Sequence, residues 1–413
     1  MLRWRILPAV LALIVLSGCM SKSHDTLVAP APVEKPYAAS QPSVPSEPSP
    51  TAAARIVSTF SLNPLTGWAV IQGGATSTIL FTETGGTTWT ALSAPAFSVD
   101  RVAFATPAHG VASGRSWECI NRGSQRPCAF SLATTWDGGA TWETTWTQEI
   151  TADVPSPTVF TVNLLDDQNG YAWRQSQAPG DGSLMLTHDG GRSWKTLPEP
   201  SPDVVIDGAV FVDKRQGWVV GRRCDGSACS YTVYHTVDGG STWRQQLTVE
   251  SLMRRNSSVL RFVDEDHGWL LLGPEGARCG MHGCAGALYR TVDGGKTWVL
   301  EDWIMDDHRP EGERHGIPID IQFSSRLDGW LTIEGTAASK GGIGVTRDGG
   351  KHWDIHLPDS MPTIVSVTAL DAEHAWIVGV DKVGQSVLIQ TDDSATTWRA
   401  VDVGASQTGS SAN

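Results

Sequence analysis

The sequence has little charge, few tyrosines and no long apolar run with helical spacing. Only 18% of its 413 residues are charged, and the acids outnumber the bases to give a formal net charge of −13. This balance excludes a surface built to hold nucleic-acid phosphates, which needs an excess of basic side chains. The sequence also lacks a phosphate-binding loop, a nucleophile elbow and a dinucleotide fingerprint, so no common catalytic motif is present.

Glycine and tryptophan are abundant, with 43 and 18 residues respectively. Short segments such as AVFVD (209–213) and GWVVG (217–221) alternate in polarity or are β-branched, and Gly and Asp interrupt them. This pattern is typical of many short strands joined by tight turns. The sequence therefore predicts an all-β fold.

The N-terminus has the features of an export signal. Arg3 and Arg5 precede an apolar run over 6–16, which is too short to span a bilayer stably. The run ends in LSGC (16–19), which resembles the lipobox of bacterial lipoproteins. The resemblance implies a signal peptide over 1–18, lipidation of Cys19 and attachment to the extracytoplasmic side of a bacterial cell membrane. The alternative is an ordinary signal peptide in which the cysteine occurs by chance.

The segment 19–54 is rich in Pro, Ser and Ala after its first cysteine. Such a composition buries too little apolar surface to fold, and its prolines favour extended polyproline II structure of about 3.1 Å per residue. We expect this segment to be a semi-rigid spacer between the lipid and a folded domain. Residues 404–413 are expected to form a disordered tail.

A repeat occupies residues 55–403. Its mark is a short polar turn, for example TVDGGSTW (236–243), and the seven copies, 45 to 55 residues apart, end at Trp89, Trp142, Trp194, Trp243, Trp298, Trp353 and Trp398. Each copy has an upstream partner, most often Gly-Trp, that follows a short apolar strand. One unit thus contains strands A, B, C and D, with the polar turn between C and D. Four strands at this period predict a seven-bladed β-propeller of four-stranded antiparallel blades.

The recurring turn resembles the Asp-box, or BNR repeat, of the sialidase-like propellers. Glycine supplies the positive φ that the turn needs, and an aspartate can accept hydrogen bonds from the turn N–H groups. A catalytic carboxylate is not needed six times, so a structural role is predicted for Asp137, Asp189, Asp238, Asp293, Asp348 and Asp393. The first copy carries Thr84 at the aspartate position, and the last carries Ala395 in place of the second glycine.

Six of the seven cysteines fall into close pairs within B–C connections. On an exported chain this spacing predicts the local disulfides Cys119–Cys128, Cys224–Cys229 and Cys279–Cys284. A metal site around CGMHGC (279–284) is the alternative, although two thiols and His282 make an incomplete zinc set. No metal or other cofactor is expected.

The longest loops are predicted to share one face of the propeller. A–B and C–D turns open on one face, and B–C and D–A connections open on the other, which would bring together the loops of blades 2 to 6. These loops carry many arginines, which suit carboxylates and protein interfaces. The candidate partner-binding residues are Arg222, Arg223, Arg254, Arg255, Arg309, Arg314 and Trp303. The alternative for each arginine is that it is an ordinary solvated loop charge. The alternative for Trp303 is that it packs beneath its own loop.

Residues 55–403 resemble the photosystem II stability and assembly factor family, through their Gly-Trp and Asp-Gly-Gly units. This resemblance implies an extracytoplasmic module that binds a partner protein and has no catalytic residues. The loop arginines predict an acidic patch on that partner, and the protein is expected to be a monomer. The alternative is a glycan-binding or glycoside-hydrolase propeller. A sialidase is disfavoured because its arginine triad and Tyr–Glu pair have no counterpart among the five tyrosines.

Overall fold

The computed structural model describes residues 54–73, 76–120, 128–150, 160–175, 183–225, 228–251, 258–273, 286–301, 316–335, 341–356 and 362–403. Within these ranges the strands form seven sheets, each of four antiparallel strands that are consecutive in the chain. The predicted seven-bladed β-propeller is therefore confirmed. The described part also contains one short helix, which the sequence did not predict.

The blades follow one another along the chain, and each contributes strands A to D in order. Blades 1 and 2 contain β1 (Arg55–Ser61), β2 (Gly67–Gly73), β3 (Thr76–Thr82), β4 (Thr90–Leu92), β5 (Ser98–Phe104), β6 (Gly110–Arg115), α1 (Trp117–Ile120), β7 (Cys128–Thr135) and β8 (Glu143–Ile150). Blades 3 and 4 contain β9 (Phe160–Leu164), β10 (Gly170–Arg174), β11 (Ser183–Thr187), β12 (Lys195–Thr196), β13 (Val205–Phe211), β14 (Gly217–Asp225), β15 (Ala228–Thr236) and β16 (Arg244–Ser251). Blades 5 to 7 contain β17 (Ser258–Phe262), β18 (Gly268–Leu272), β19 (Ala287–Thr291), β20 (Val299–Leu300), β21 (Ile317–Phe323), β22 (Gly329–Glu334), β23 (Gly342–Thr346), β24 (Asp354–His356), β25 (Thr363–Ala369), β26 (Ala375–Val380), β27 (Ser386–Thr391) and β28 (Arg399–Val401).

The ring closes between blade 7 and blade 1 without an exchanged strand. All four strands of the last sheet come from the C-terminal part of the chain. The hydroxyls of Thr59 and Thr368 share a 2.6 Å hydrogen bond across the junction, and Ile56 N donates to Ser386 Oγ at 3.0 Å. Trp89 and Trp376 pack in one cluster there, with ring centroids 5.6 Å apart. Closure therefore depends on side-chain packing and a few polar contacts.

Aromatic rings repeat at the junctions between blades. The strand-B tryptophan of one blade is fully buried and stacks on the last strand-A residue of the next, as Trp218 does on Phe262 at 3.6 Å. Trp298, which ends the C–D turn of that next blade, meets the same phenylalanine edge-on at 5.9 Å. Trp68 with Phe104 and Trp269 with Phe323 repeat the stack. Each such junction is thus a three-ring cluster that ties two blades together.

The glycine of the Gly-Trp unit makes room for this phenylalanine. Gly268 lies directly opposite Phe262 in the β17–β18 register, and a Cβ at Gly268 would collide with that ring. The same relation holds for Gly110, Gly217 and Gly329 with the phenylalanines of their own strands A. Blade 7 has Ala369 in place of the phenylalanine, and the residue opposite is Ala375. In blade 7 the small strand-A side chain therefore leaves room for a Cβ at the opposite position.

Some local boundaries differ from the sequence-based expectation. The fourth strand of every blade begins one residue after the tryptophan that ends the turn, and these tryptophans are half-buried. The segment 221–229, which was expected to be a loop, is mostly strand, because β14 extends to Asp225 and β15 already begins at Ala228. This long pairing keeps Arg222, Arg223 and Cys224 inside a regular ladder.

Candidate functional site

The C–D turns use their aspartates internally. In blade 4, Asp238 Oδ1 accepts hydrogen bonds from Thr242 N at 2.9 Å and from Thr236 Oγ1 at 2.8 Å, and Oδ2 accepts one from the Thr242 hydroxyl at 2.7 Å. Gly239 and Gly240 have φ of 68° and 78°, which only glycine adopts without strain. Oδ1 accepts the equivalent two bonds in the turns of Asp137, Asp189, Asp293, Asp348 and Asp393.

These bonds favour the ionised carboxylate. The hydroxyl and backbone N–H of Thr141 lower the pKa of Asp137 to about 2, and those of Thr242 do the same for Asp238. A permanently ionised group with its lone pairs engaged is poorly suited to proton transfer. The geometry therefore supports the structural role that the sequence predicts.

The two atypical turns keep the same shape by different means. In blade 1, Thr84 Oγ1 replaces the carboxylate and accepts a hydrogen bond from Thr88 N at 2.9 Å. In blade 7, Ser394 and Ala395 hold φ of 57° and 69°, which is strained for residues with a Cβ.

Turns between strands A and B lie beside the C–D turns. In each blade, the N–H of the residue after the Asp-box aspartate position donates to a carbonyl of the A–B turn, as Gly239 does to Arg215 O at 2.9 Å and Gly294 does to Asp266 O at 2.9 Å. We call this side of the propeller the turn face. The ends of strands B and the beginnings of strands C lie at the opposite side, which we call the loop face.

Two matching polar clusters, which the sequence did not reveal, are buried at the loop face. Asp100 accepts hydrogen bonds from Arg115 Nη2 at 3.0 Å and from Gln72 Nε2 of the preceding blade at 3.3 Å. Asp100 occupies a bulge in strand A, where the β5–β6 register shifts. Burial raises the pKa of Asp100, and Arg115 opposes that shift.

Blades 3 and 4 repeat the cluster at equivalent positions. Asp207, at the bulge in β13, accepts from Arg222 Nε at 2.8 Å and from Gln175 Nε2 at 3.4 Å. Burial again raises the pKa of the aspartate, and the hydrogen bond from Arg222 counteracts it. Arg222, a predicted partner-binding residue, is thus committed to an ion pair, whereas the neighbouring Arg223 is exposed to solvent.

The structure contains two of the three predicted disulfides, Cys119–Cys128 and Cys224–Cys229. Both close B–C connections at the loop face, and the second joins residues directly opposite each other in the β14–β15 ladder. Trp173, near the end of β10 at the loop face, packs against the buried cluster between blades 3 and 4. Residues 1–53 and 404–413 lie outside the described residues. So do the remaining predicted site residues, which are Cys19, Arg254, Arg255, Cys279, His282, Cys284, Trp303, Arg309 and Arg314.

Two further features bear on the site. Across the described ranges, no group of His, Cys, Asp and Glu side chains is arranged to hold a metal ion. No helix in the same ranges is long and apolar enough to cross a membrane.

Comparison with known proteins finds likeness at the level of the fold. Neither the protein-family models nor the curated proteins give a match to this sequence. Among solved structures, YCF48 from Cyanidioschyzon merolae superposes with a TM-score of 0.50 at 16% identity, over 84% of this chain and 97% of that one. A prolyl endopeptidase superposes with a TM-score of 0.54 at 10% identity, over 84% of this chain and 49% of that one. The structure of YCF48 bound to a D1 peptide has a TM-score of 0.49 at 18% identity, over 83% of this chain and 92% of that one.

Proposed function

We propose that this protein is a non-catalytic protein-binding propeller that holds a partner's acidic patch at the loop face of blades 2 to 6. The observation that carries the proposal is the pair of disulfide-closed B–C connections at this face, with the exposed Arg223 beside one of them. A cross-link that orders a connection beforehand lowers the entropy lost when a partner binds. The resemblance of the repeats to the assembly factor family favours the same function.

The two acids of the Gln–Asp–Arg clusters at the loop face are unsuited to glycoside hydrolysis. A glycoside hydrolase needs two carboxylates that face a cleft, one to protonate the leaving group and one to attack or activate water. Asp207 is instead buried and Asp100 partly buried, and each is bound by an arginine and a glutamine. Glycan binding or hydrolysis is accordingly the second candidate function.

The test of the loop face is cross-linking in intact cells, followed by mass spectrometry of the captured proteins. Arg223→Glu should reduce capture, because reversing an exposed interfacial charge slows association and weakens the complex. Arg244→Glu, at an exposed turn-face arginine, is the matched control and should capture normally. Equal capture by both variants, or a loss with Arg244→Glu alone, would contradict the loop face as the docking surface.

Membrane attachment is a separate part of the proposal. Lipidation of Cys19 would tether the propeller through the Pro-rich segment to the extracytoplasmic side of the membrane. Cys19→Ala should release the protein from the membrane fraction or leave its precursor uncleaved. A variant that is still cleaved after residue 18 and still sediments with membranes would refute the lipid anchor.

A further inference from the structure

An open groove of about 670 Å³ lies between blades 3 and 4 on the turn face. Leu186, from strand C of blade 3, and Leu197, the residue after strand D, form its apolar floor, with 3% and 7% of their respective surfaces exposed. Lys195, Lys214 and Arg215 line its sides together with polar residues of the neighbouring turns. We call this feature the 3/4 groove. It lies on the side opposite the loop face and contains none of the residues of the proposed docking surface.

The cations of the 3/4 groove are available to a ligand. Lys195 and Lys214 are exposed, and within the described ranges neither ammonium group has a hydrogen-bond partner. Arg215 donates through Nε to Val237 O at 3.2 Å, which orients its guanidinium.

Nearby carboxylates do not neutralise these cations by direct pairing. Asp213 Oδ1 accepts the backbone N–H groups of Arg215 at 2.6 Å and Gln216 at 2.7 Å. Asp166 is held in the same way by Gln168 and Asn169, and Asp238 by Thr242. Each carboxylate is therefore used by its own turn, as in the other blades.

Comparison of the seven repeats shows that this groove departs from the pattern. The three cations occupy positions that have equivalents in every repeat. These are the residue after the turn tryptophan and two residues of the next blade's A–B turn, the second of which accepts the C–D turn N–H. In the 3/4 groove all three are cationic. At the other junctions, in order from blades 1/2 onward, they are Thr90, Pro107 and Ala108; Glu143, Asp167 and Gln168; Arg244, Glu265 and Asp266; Val299, Arg326 and Leu327; Asp354, Ala372 and Glu373; and Arg399, Pro64 and Leu65.

No other junction has more than one cation at these positions, and three of the six carry at least one acid. The fold itself therefore does not need three cations here, because six junctions form without them. A cationic cluster over an apolar floor is also unfavourable in isolation, since like charges repel. Both observations indicate that the cluster serves an anionic ligand.

We propose that the 3/4 groove binds a short acidic peptide segment of a partner protein. An apolar side chain of the segment would rest on Leu186 and Leu197, and its carboxylates would reach Lys195, Lys214 and Arg215. The apolar floor and the size of the groove favour a peptide over a single small anion, which would need donors converging on one point. This site is additional to the proposed loop-face surface and does not depend on it.

The binding test uses the purified full chain and a fluorescein-labelled octapeptide of alternating Asp-Glu pairs and leucines, followed by fluorescence anisotropy. Two comparison peptides replace the acids by lysine or the leucines by glycine, and inorganic phosphate and phosphatidylglycerol vesicles are tried separately. The Lys195→Glu/Lys214→Glu variant should bind the acidic leucine peptide about tenfold more weakly, since each exposed pair contributes up to about fivefold. Higher salt should weaken binding by wild type in the same direction.

The matched control is Arg244→Glu, which reverses the equivalent position of the next junction and should leave affinity unchanged. A second variant, Lys195→Ala/Lys214→Ala, removes the charges without adding acids, and thermal unfolding checks that both variants are folded. Unchanged affinity in the two lysine variants, or an equal loss with Arg244→Glu, would overturn the proposal. Preference for phosphate, for vesicles or for the leucine-free peptide would also overturn it. Failure of Arg223→Glu to affect capture in cells would bear only on the loop face.

Discussion

The glycine opposite each strand-A phenylalanine provides the sharpest test of how the blades pack. Gly268→Ala adds one methyl group at a position with no positive φ, so the backbone itself can accept alanine. The new Cβ would nevertheless collide with the Phe262 ring. That ring is fixed by the stacked Trp218 on one side, 3.6 Å away, and by the edge of Trp298 on another.

The expected magnitudes follow from this crowding. Overpacking a fixed ring by one methyl group should lower the free energy of unfolding by about 1–3 kcal/mol. Phe262→Ala should lower it by about 3–5 kcal/mol, because it removes a buried ring and leaves Trp218 unstacked. In the double variant the methyl group no longer meets a ring, which is the arrangement that blade 7 has with Ala369 and Ala375. The two changes should therefore couple favourably by about 1–3 kcal/mol.

The assay is urea unfolding followed by tryptophan fluorescence for wild type, both single variants and the double variant. Gly73→Ala is the control, because a Cβ at Gly73 meets no atom within 4 Å. This control should change stability by only a few tenths of a kcal/mol. Additive effects of the two changes, or a Gly268→Ala variant as stable as Gly73→Ala, would refute the steric explanation of the Gly-Trp unit.

Three further predictions concern charge and cross-links. The pKa of every C–D turn aspartate is lowered, so the stability that these aspartates confer is present above pH 4 and is lost as the pH falls toward 2. Urea midpoints should therefore drop across this window, and a flat profile would contradict the hydrogen-bond network of the turns. Arg222→Glu should destabilise the protein by about 3–5 kcal/mol because it leaves Asp207 buried beside a second acid, whereas Arg223→Glu should leave the thermal midpoint unchanged. Replacing Cys224 and Cys229 by serine should reduce stability by about 2 kcal/mol under oxidising conditions, and a reductant should destabilise wild type by more, because it also opens Cys119–Cys128.

The number and order of the blades could be predicted from the sequence because the signals are local. Each C–D turn is specified by a few adjacent residues, and the period between turns sets the number of strands. The pairing of Phe262 with Gly268 also had a visible signal, since Phe and Gly recur six residues apart in four blades.

The buried Gln–Asp–Arg clusters had no comparable signal. Asp100 and Asp207 meet their partners because a bulge shifts the strand register, and because a neighbouring blade brings a glutamine from 28 or 32 residues away. Neither the bulge nor the contact between blades can be read from local spacing. Arg222 therefore looked like a free loop cation, although it is part of the internal structure.

Departures from the repeat are of two kinds, and the distinction separates structure from function. Blade 2 has Val111 where five other blades have a tryptophan. In blades 4 and 5 the indole N–H of that tryptophan donates to a carbonyl of the next C–D turn, as Trp269 donates to Gly349 O at 2.8 Å. In blade 2, His109 Nε2 contacts the equivalent carbonyl of Gly190 at 2.9 Å, and Trp136 stacks on the histidine ring at 3.7 Å.

That departure is compensated within the protein, because the carbonyl still has a partner and the junction is still filled by stacked rings. In the 3/4 groove, by contrast, Lys195 and Lys214 make no direct hydrogen bond or ion pair among the described residues, and Lys214 interacts with Asp166 only through space. The change in blade 2 is thus offset by other contacts inside the protein and does not point to a ligand. The cations of the 3/4 groove supply no such contact to the fold. The 3/4 groove is therefore the junction of the turn face at which three cations lie together without a direct acidic partner, an arrangement that the proposed acidic peptide would complement.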